Sequence, residues 1–115
     1  MKPIYHITSL SEIERAGRIG EYVPSSLASD GFIHCSYGSQ VKAVADTYFC
    51  GRKDLALLEI DPTSLVLRVL DENLVGGKEL YPNIYGLLSM SAVTSIRELV
   101  CQEDGLFELP CNVDV

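Results

Sequence analysis

Positive charge is scarce in this sequence. Nine lysines and arginines stand against sixteen acidic residues, a net charge of −7. Such a surface repels phosphate backbones, which argues against a general nucleic-acid binder but leaves room for a local basic pocket. Long apolar runs are missing too. No stretch approaches the roughly 20 residues that a membrane span needs, and the opening MKPIYHITSL lacks the apolar core of a signal peptide. These absences predict a cytosolic protein that does not engage a membrane. No C-x-x-C pair occurs: Cys35, Cys50, Cys101 and Cys111 are widely spaced. That spacing supports neither a zinc ribbon nor a disulfide framework, and it predicts reduced, mostly buried thiols. There is no low-complexity segment, linker or run of like charge.

Histidine is scarce as well, with only His6 and His34 in the chain. No H-x-H or H-E-x-x-H spacing supplies a third ligand, so no metal is expected. What is present is ordinary for a globular chain: 115 residues, of which 47% are hydrophobic. This is enough for one core and hence for a single domain over residues 1–115.

Ile4 to Thr8 reads as a first strand. The sequence Ser9 to Glu12 is a capping box that opens a short helix ending near Gly17. A turn-rich stretch with Pro24 and Asp30-Gly31 leads into a second strand, FIHCS. Val41, Val44, Ala45, Tyr48 and Phe49 form one helical stripe, with Ser39 as a plausible N-cap and Gly51 past the end. LALLEI, Leu55 to Ile60, is apolar on both faces and predicts a covered central strand. SLVLRVL follows as another strand after the Asp61-Pro62 turn. VGGKELYPNIYG reads as a loop, and SAVTSIRELV and GLFELP as two closing strands. Early helices and late strands predict an α+β fold with a largely antiparallel sheet.

Both histidines sit in apolar strand-like settings, each followed two residues later by a hydroxyl, Thr8 or Ser36. Side chains alternate along a strand, so His6 shares a face with Thr8, and His34 with Ser36. Cys35 then points away from His34, which rules out a Cys–His dyad on a regular strand. Two readings stand side by side. Either the two strands turn imidazoles and hydroxyls into one polar ligand pocket, or each histidine is a core residue satisfied by a backbone carbonyl.

IYHIT, GFIHCS followed by Gln40 and an apolar helix, LALLEIDPTSL and ELYPNIYGLLSMSAV together resemble the domain-of-unknown-function 952 family, from about residue 4 to the DGLFELP segment. That family resembles in fold the ADP-ribosyltransferase superfamily, whose members clasp NAD between two small sheets. The resemblance therefore implies an ADP-ribosyltransferase-like domain of split antiparallel sheets, with a few short helices around a cleft. It implies a small nucleotide ligand of the NAD or ADP-ribose type, and a relative of NAD-dependent transferases or glycohydrolases. The alternative is a non-enzymatic module that uses the same pocket. Carried over residue by residue, His6, Thr8, His34, Ser36, Gln40, Asn83 and Tyr85 would bind the ligand. Glu79 and His34 would be catalytic, Glu79 by orienting a ribose hydroxyl or stabilising an oxocarbenium-like centre; a solvated loop position is the other reading of Glu79. Tyr85 is read as stacking on a planar ring or as closing a loop over the core. The sequence departs from the family at Asn83, where a histidine is common; asparagine hydrogen-bonds but does not titrate near neutral pH.

Overall fold

In a computed structural model that describes residues 2–65, 68–73 and 79–113, the chain is organised about two adjacent strands. Strand β1 (Ile4–Ser9) pairs antiparallel with β4 (Leu55–Ile60) along its whole length, from Ile4↔Ile60 to Ser9↔Leu55. Beyond β4 lies β8 (Val93–Glu98), and beyond β1 the two-residue β3 (Ser36–Tyr37), giving the order β3-β1-β4-β8. Three two-stranded ribbons surround this sheet: β2 (Glu21–Tyr22) with β7 (Leu88–Ser89), β5 (Arg68–Glu72) with β6 (Tyr81–Tyr85), and β9 (Val100–Cys101) with β10 (Phe107–Glu108). Every strand pairing among the described residues is antiparallel, as an α+β chain with late strands requires.

Alternation along β1 and β4 feeds two cores, one on each face of the sheet. Ile4, Leu58 and Ile60 pack with Tyr22, Ile33, Cys35, Ile84 and Leu88. Tyr5, Ile7, Leu55 and Leu57 pack on the other side with Leu99, Phe107 and helix α3 (Val41–Tyr48) through Val41 and Ala45. LALLEI is thus covered on both faces, as its composition demands.

Helix α1 (Leu10–Ile19) starts where expected, with Ser9 Oγ accepting from the Glu12 amide at 3.2 Å. The Glu12 carboxylate turns to Arg15 at 3.3 Å rather than back to Ser9. The helix runs past Gly17 and stops at Gly20, whose φ of 92° is the left-handed conformation that glycine alone adopts cheaply. A helix-interior glycine lowers helix propensity without breaking the ladder. Part of the stretch expected to be turn becomes α2 (Ser25–Asp30), opened by Pro24 and closed by Gly31 at φ 82°. No helix among the described residues is long and apolar enough to cross a membrane.

Two expectations change more. FIHCS is not a continuous strand: Ile33 makes one isolated bridge to Ile84, and regular pairing resumes only at Ser36. YPNIY, expected in a loop, is strand β6, paired from Tyr81 to Tyr85 with β5. A proline discourages a strand reading because it gives no N–H, but an edge ribbon tolerates it. Val66 and Leu67 of SLVLRVL, and residues 74–78 of the following loop, lie outside the described residues.

The last ribbon is anchored by side chains instead of a ladder. Asp46 Oδ1 accepts from the Phe107 amide at 2.8 Å, and Lys42 Nζ donates to the Phe107 carbonyl at 3.0 Å. The Phe107 ring is fully buried beneath α3. Phe107→Ala is therefore expected to cost about 3–5 kcal/mol in urea denaturation, whereas Leu106→Ala next to it, 37% exposed, should cost well under half as much. Equal costs would contradict this account of the second core.

Candidate functional site

Ile33 is laddered to Ile84 in one sheet, with hydrogen bonds of 2.8 and 3.0 Å. Ser36 is paired with Tyr5 in another. Between them the chain crosses from sheet to sheet, and its peptide groups there have no strand partner. Buried peptide groups must find other partners. His6 and Asn83 supply them. His6 Nδ1 lies 2.5 Å from the His34 carbonyl oxygen, and Asn83 Oδ1 accepts from the Cys35 amide at 3.5 Å. The histidine shared by the two motifs is therefore read backwards by the sequence pattern: one imidazole binds the other histidine's backbone.

The His6 ring continues into a buried chain. Its Nε2 lies 2.7 Å from Tyr22 Oη, which in turn lies 2.8 Å from Thr8 Oγ1. Thr8 and His6 share the face that alternation gives them. Burial pulls the His6 pKa from 6.5 down to about 4, more strongly than the His34 carbonyl raises it. Burial also pushes the Tyr22 phenol up to about 12, against the Thr8 hydrogen bond that lowers it. Both groups are neutral at pH 7.

A second cluster sits on the β5–β6 ribbon. Glu72 Oε1 accepts from Tyr85 Oη at 2.7 Å and from Asn83 Nδ2 at 3.2 Å. Asn83, buried in β6, thus joins the crossover to this carboxylate. The Tyr85 ring stands 5.3 Å from Phe32, which stands 4.6 Å from the His34 ring. The His34 imidazole itself is 55% exposed and pairs with Asp30 at 2.9 Å.

Both clusters open on one cavity of about 520 Å3. It lies along β1 where β3 no longer covers it, since the β1–β3 ladder ends at Tyr5↔Ser36 while β1 runs on to Ser9. Residues from both faces of β1 therefore reach its wall. Of the residues expected from sequence, His6, Thr8, His34, Ser36 and Asn83 line it. Gln40, Glu79 and Tyr85 are not on the wall: Gln40 accepts from the Tyr37 amide and donates to the Leu80 carbonyl, both at 2.9 Å, and its Nε2 reaches Glu79 at 3.4 Å. Gln40 fastens the residues before β6 to the start of α3, and Tyr85 acts from behind Glu72.

Sequence reasoning missed Glu72 and Glu12, the two carboxylates on the wall. It also missed Tyr22, Tyr48, Phe49 and Tyr81, which give the wall most of its rings. Glu72 carries no signal in the sequence because the apolar strand pattern SLVLRVL ends at Leu70. The one lining arginine, Arg52, is held by Asp54 at 3.0 and 3.2 Å. Among the described residues, no three His, Cys, Asp or Glu side chains cluster to hold a metal ion. Cys35 also lines the cavity but is only 4% exposed, and burial pushes its thiol well above the ordinary range. A protonated, buried thiol is a poor nucleophile.

The protein belongs to the family described as "Protein of unknown function (DUF952)", whose model matches residues 7–96. Its fold is similar to the crystal structure of protein CC0527 from Caulobacter crescentus, at 32% identity and a TM-score of 0.85, covering 94% of this chain and 95% of that one. The solution NMR structure of CC0527 matches at 33% identity and a TM-score of 0.77, over 92% and 91% of the two chains. A comparison with curated proteins gave no match.

The depressed His6 pKa links stability to pH. The unfolded ring binds a proton near 6.5 and the folded ring only near 4, so the unfolded state holds more protons in between. This contribution is complete above pH 6.5 and is lost progressively as pH falls to 4, on the order of 3 kcal/mol in all. His6→Asn should flatten the stability profile between pH 6.5 and 4; an unchanged slope would show that His6 does not titrate in this window. A native thiol reagent should label exposed Cys50 and Cys111 and spare Cys35 until unfolding. Rapid native labelling of Cys35 would contradict its burial.

Proposed function

We propose that this DUF952 protein binds a nucleotide of the NAD or ADP-ribose type in an ADP-ribosyltransferase-like cleft, and that the ring-and-ribose half enters the cavity. The observation that carries this reading is a cavity of about 520 Å3 that combines aromatic walls with a carboxylate fixed by two donors. Ligand sites of roughly 300–1,000 Å3 with a few placed polar groups are the usual size for such molecules. Tyr22, Tyr48, Phe49 and Tyr81 bring rings to the wall, Tyr22 buried and Phe49 under the Arg52 guanidinium at 5.8 Å, and stacking on a ring such as that of Tyr48 or Tyr81 is worth about 1–3 kcal/mol per base. Charge selects which half enters. The Glu72 carboxylate on the wall, with Arg52 engaged by Asp54 and Glu12 by Arg15, disfavours a pyrophosphate and favours a cationic ring such as nicotinamide in its riboside.

If the ligand reacts, Glu72 takes the role first assigned to Glu79. The bond from the ribose anomeric carbon to the ring nitrogen breaks, the electron pair leaves with neutral nicotinamide, and the carboxylate stabilises the oxocarbenium-like centre until an acceptor hydroxyl adds through its oxygen and releases its proton to solvent. His34, exposed beside the wall, would meet the ligand rather than the reacting bond. A binding module without chemistry is the second reading, favoured by Glu72 Oε1 already holding Asn83 and Tyr85.

A thermal-shift series with NAD, ADP-ribose, nicotinamide and nicotinamide riboside tests the proposal. A ligand at one hundred times its dissociation constant adds about 2.7 kcal/mol, a rise of several degrees for a domain of this size. NAD and the riboside should give that rise. His34→Ala should keep the fold, because the fold uses the His34 carbonyl rather than its ring, at a cost within about 1 kcal/mol, while weakening the shift. NAD consumption that disappears in Glu72→Gln supports catalysis; a shift without consumption supports binding alone. No shift with any of the four ligands would overturn the proposal.

A further inference from the structure

The β5–β6 ribbon continues past the cavity. Val69 and Ile84 turn into the first core. Alternation therefore puts Arg68, Leu70 and Glu72 of β5 on the opposite face, with their partners Tyr85, Asn83 and Tyr81 of β6. Glu72, Tyr81 and Asn83 are the part of this face that lines the cavity. Arg68 and Tyr85, paired across the ribbon, are the part beyond it. Tyr85 joins the two parts, since its Oη donates to Glu72 Oε1 at 2.7 Å. That hydrogen bond is the main cause of the raised Tyr85 pKa, and the nearby Arg68 charge opposes the rise.

Arg68 differs from the other arginines. Arg15, Arg18, Arg52 and Arg97 each hold a carboxylate, Glu12, Glu14, Asp54 and Glu59, at 3.3, 3.4, 3.0 and 3.7 Å. Arg68 is exposed and has no carboxylate partner among the described residues. Asp71, three residues on, belongs to the other face, where it accepts from Tyr37 Oη at 2.5 Å. An incoming anion would meet the Arg68 guanidinium without displacing a carboxylate from it.

We infer that Arg68 holds the 5′-phosphate of the ligand whose ring and ribose enter the cavity, outside the cavity and along the ribbon from Glu72. The inference rests on the proposed nucleotide ligand, and it gives a place to the phosphate that the cavity wall disfavours. Four residues at about 3.3 Å each set Arg68 and Glu72 about 13 Å apart along β5. A glutamate and a long arginine side chain can reach the two ends of one ribose phosphate across that span. The ribbon face thus carries a carboxylate at one end and a guanidinium at the other. A nicotinamide nucleotide carries the opposite pair in the same order, a pyridinium ring and then a phosphate. Charge complementarity of this kind fixes the orientation of a ligand. A guanidinium also suits phosphate oxygens, which it meets through two parallel N–H donors. A riboside without phosphate uses only the Glu72 end of the face.

Calorimetric titration of nicotinamide riboside, nicotinamide mononucleotide and NAD at low ionic strength tests this. The mononucleotide and NAD should bind at least about ten-fold more tightly than the riboside, although the net charge of −7 opposes any phosphate. Arg68→Gln should remove that gain and leave the riboside's dissociation constant as it is, so the riboside also reports that the variant is folded. Arg18→Gln, which takes the same charge from the exposed surface of α1, should keep the gain. Three results overturn the inference: phosphate adds no affinity, Arg68→Gln keeps the gain, or Arg18→Gln removes it as fully. The last would mean that the overall field attracts the phosphate and not a placed guanidinium. Binding of the riboside with no gain from phosphate overturns this inference alone and leaves the proposed function standing. Failure of all three ligands to bind overturns the proposed function, and the Arg68 assignment with it.

Discussion

The contact between the His6 ring and the His34 carbonyl is the constraint on which the arrangement depends. It is made where the chain leaves the small ribbon at Ile33 and joins the central sheet at Ser36. A half-buried peptide oxygen at such a crossing, with no strand partner, costs up to about 1–3 kcal/mol if left alone. The imidazole meets that need without adding a charge, because burial keeps it neutral. It also ties β1 to the crossing at the point where β3 stops covering β1. The cavity exists because the chain is fastened there by a side chain and not by a third strand.

The same fastening orders the polar wall. His6 passes its second nitrogen to Tyr22, and Tyr22 reaches Thr8. On the far side Asn83 holds the Cys35 amide and hands its own amide protons to Glu72. One turn of irregular backbone thus sets the orientation of a hydroxyl on one wall and a carboxylate on the other. Groups held in this way are preorganised, and a ligand meets them without first having to order them. A core histidine and a cavity-wall histidine are consequently not rival descriptions of His6. The ring satisfies a backbone carbonyl and lines the cavity at once.

Local rules made part of this legible. Alternation put His6 and Thr8 on one face, an unbroken apolar run marked LALLEI as the covered strand, and the 3.6-residue stripe located α3. GFIHCS misled because apolar residues around a histidine look the same whether they form one strand or link two sheets; the difference lies in partners, Ile84 and Tyr5, that are distant in sequence. YPNIY reads as a loop because Pro82 and the flanking glycines outweigh two tyrosines and an isoleucine in any local count. Only pairing with Arg68 to Glu72 makes it a strand, and that pairing alone brings Glu72 under Asn83 and Tyr85. Glu79 drew attention by its place in the motif, yet its neighbour in space is Gln40. Position in a motif does not say which way a loop carboxylate faces.

Native-state hydrogen exchange tests the central claim most directly. The Ile33 and Ile84 amides, bonded to each other's carbonyls at 2.8 and 3.0 Å, report the ribbon side of the crossing, and the Ser36 amide reports the sheet side. If the His6 ring fastens the two, His6→Ala should lower protection at Ile33, Ile84 and Ser36 together, while the β4–β8 ladder keeps its protection relative to the global stability. Loss of protection spread evenly over the whole domain, or confined to β1, would mean that His6 is an ordinary core side chain and that the crossing is held by something else.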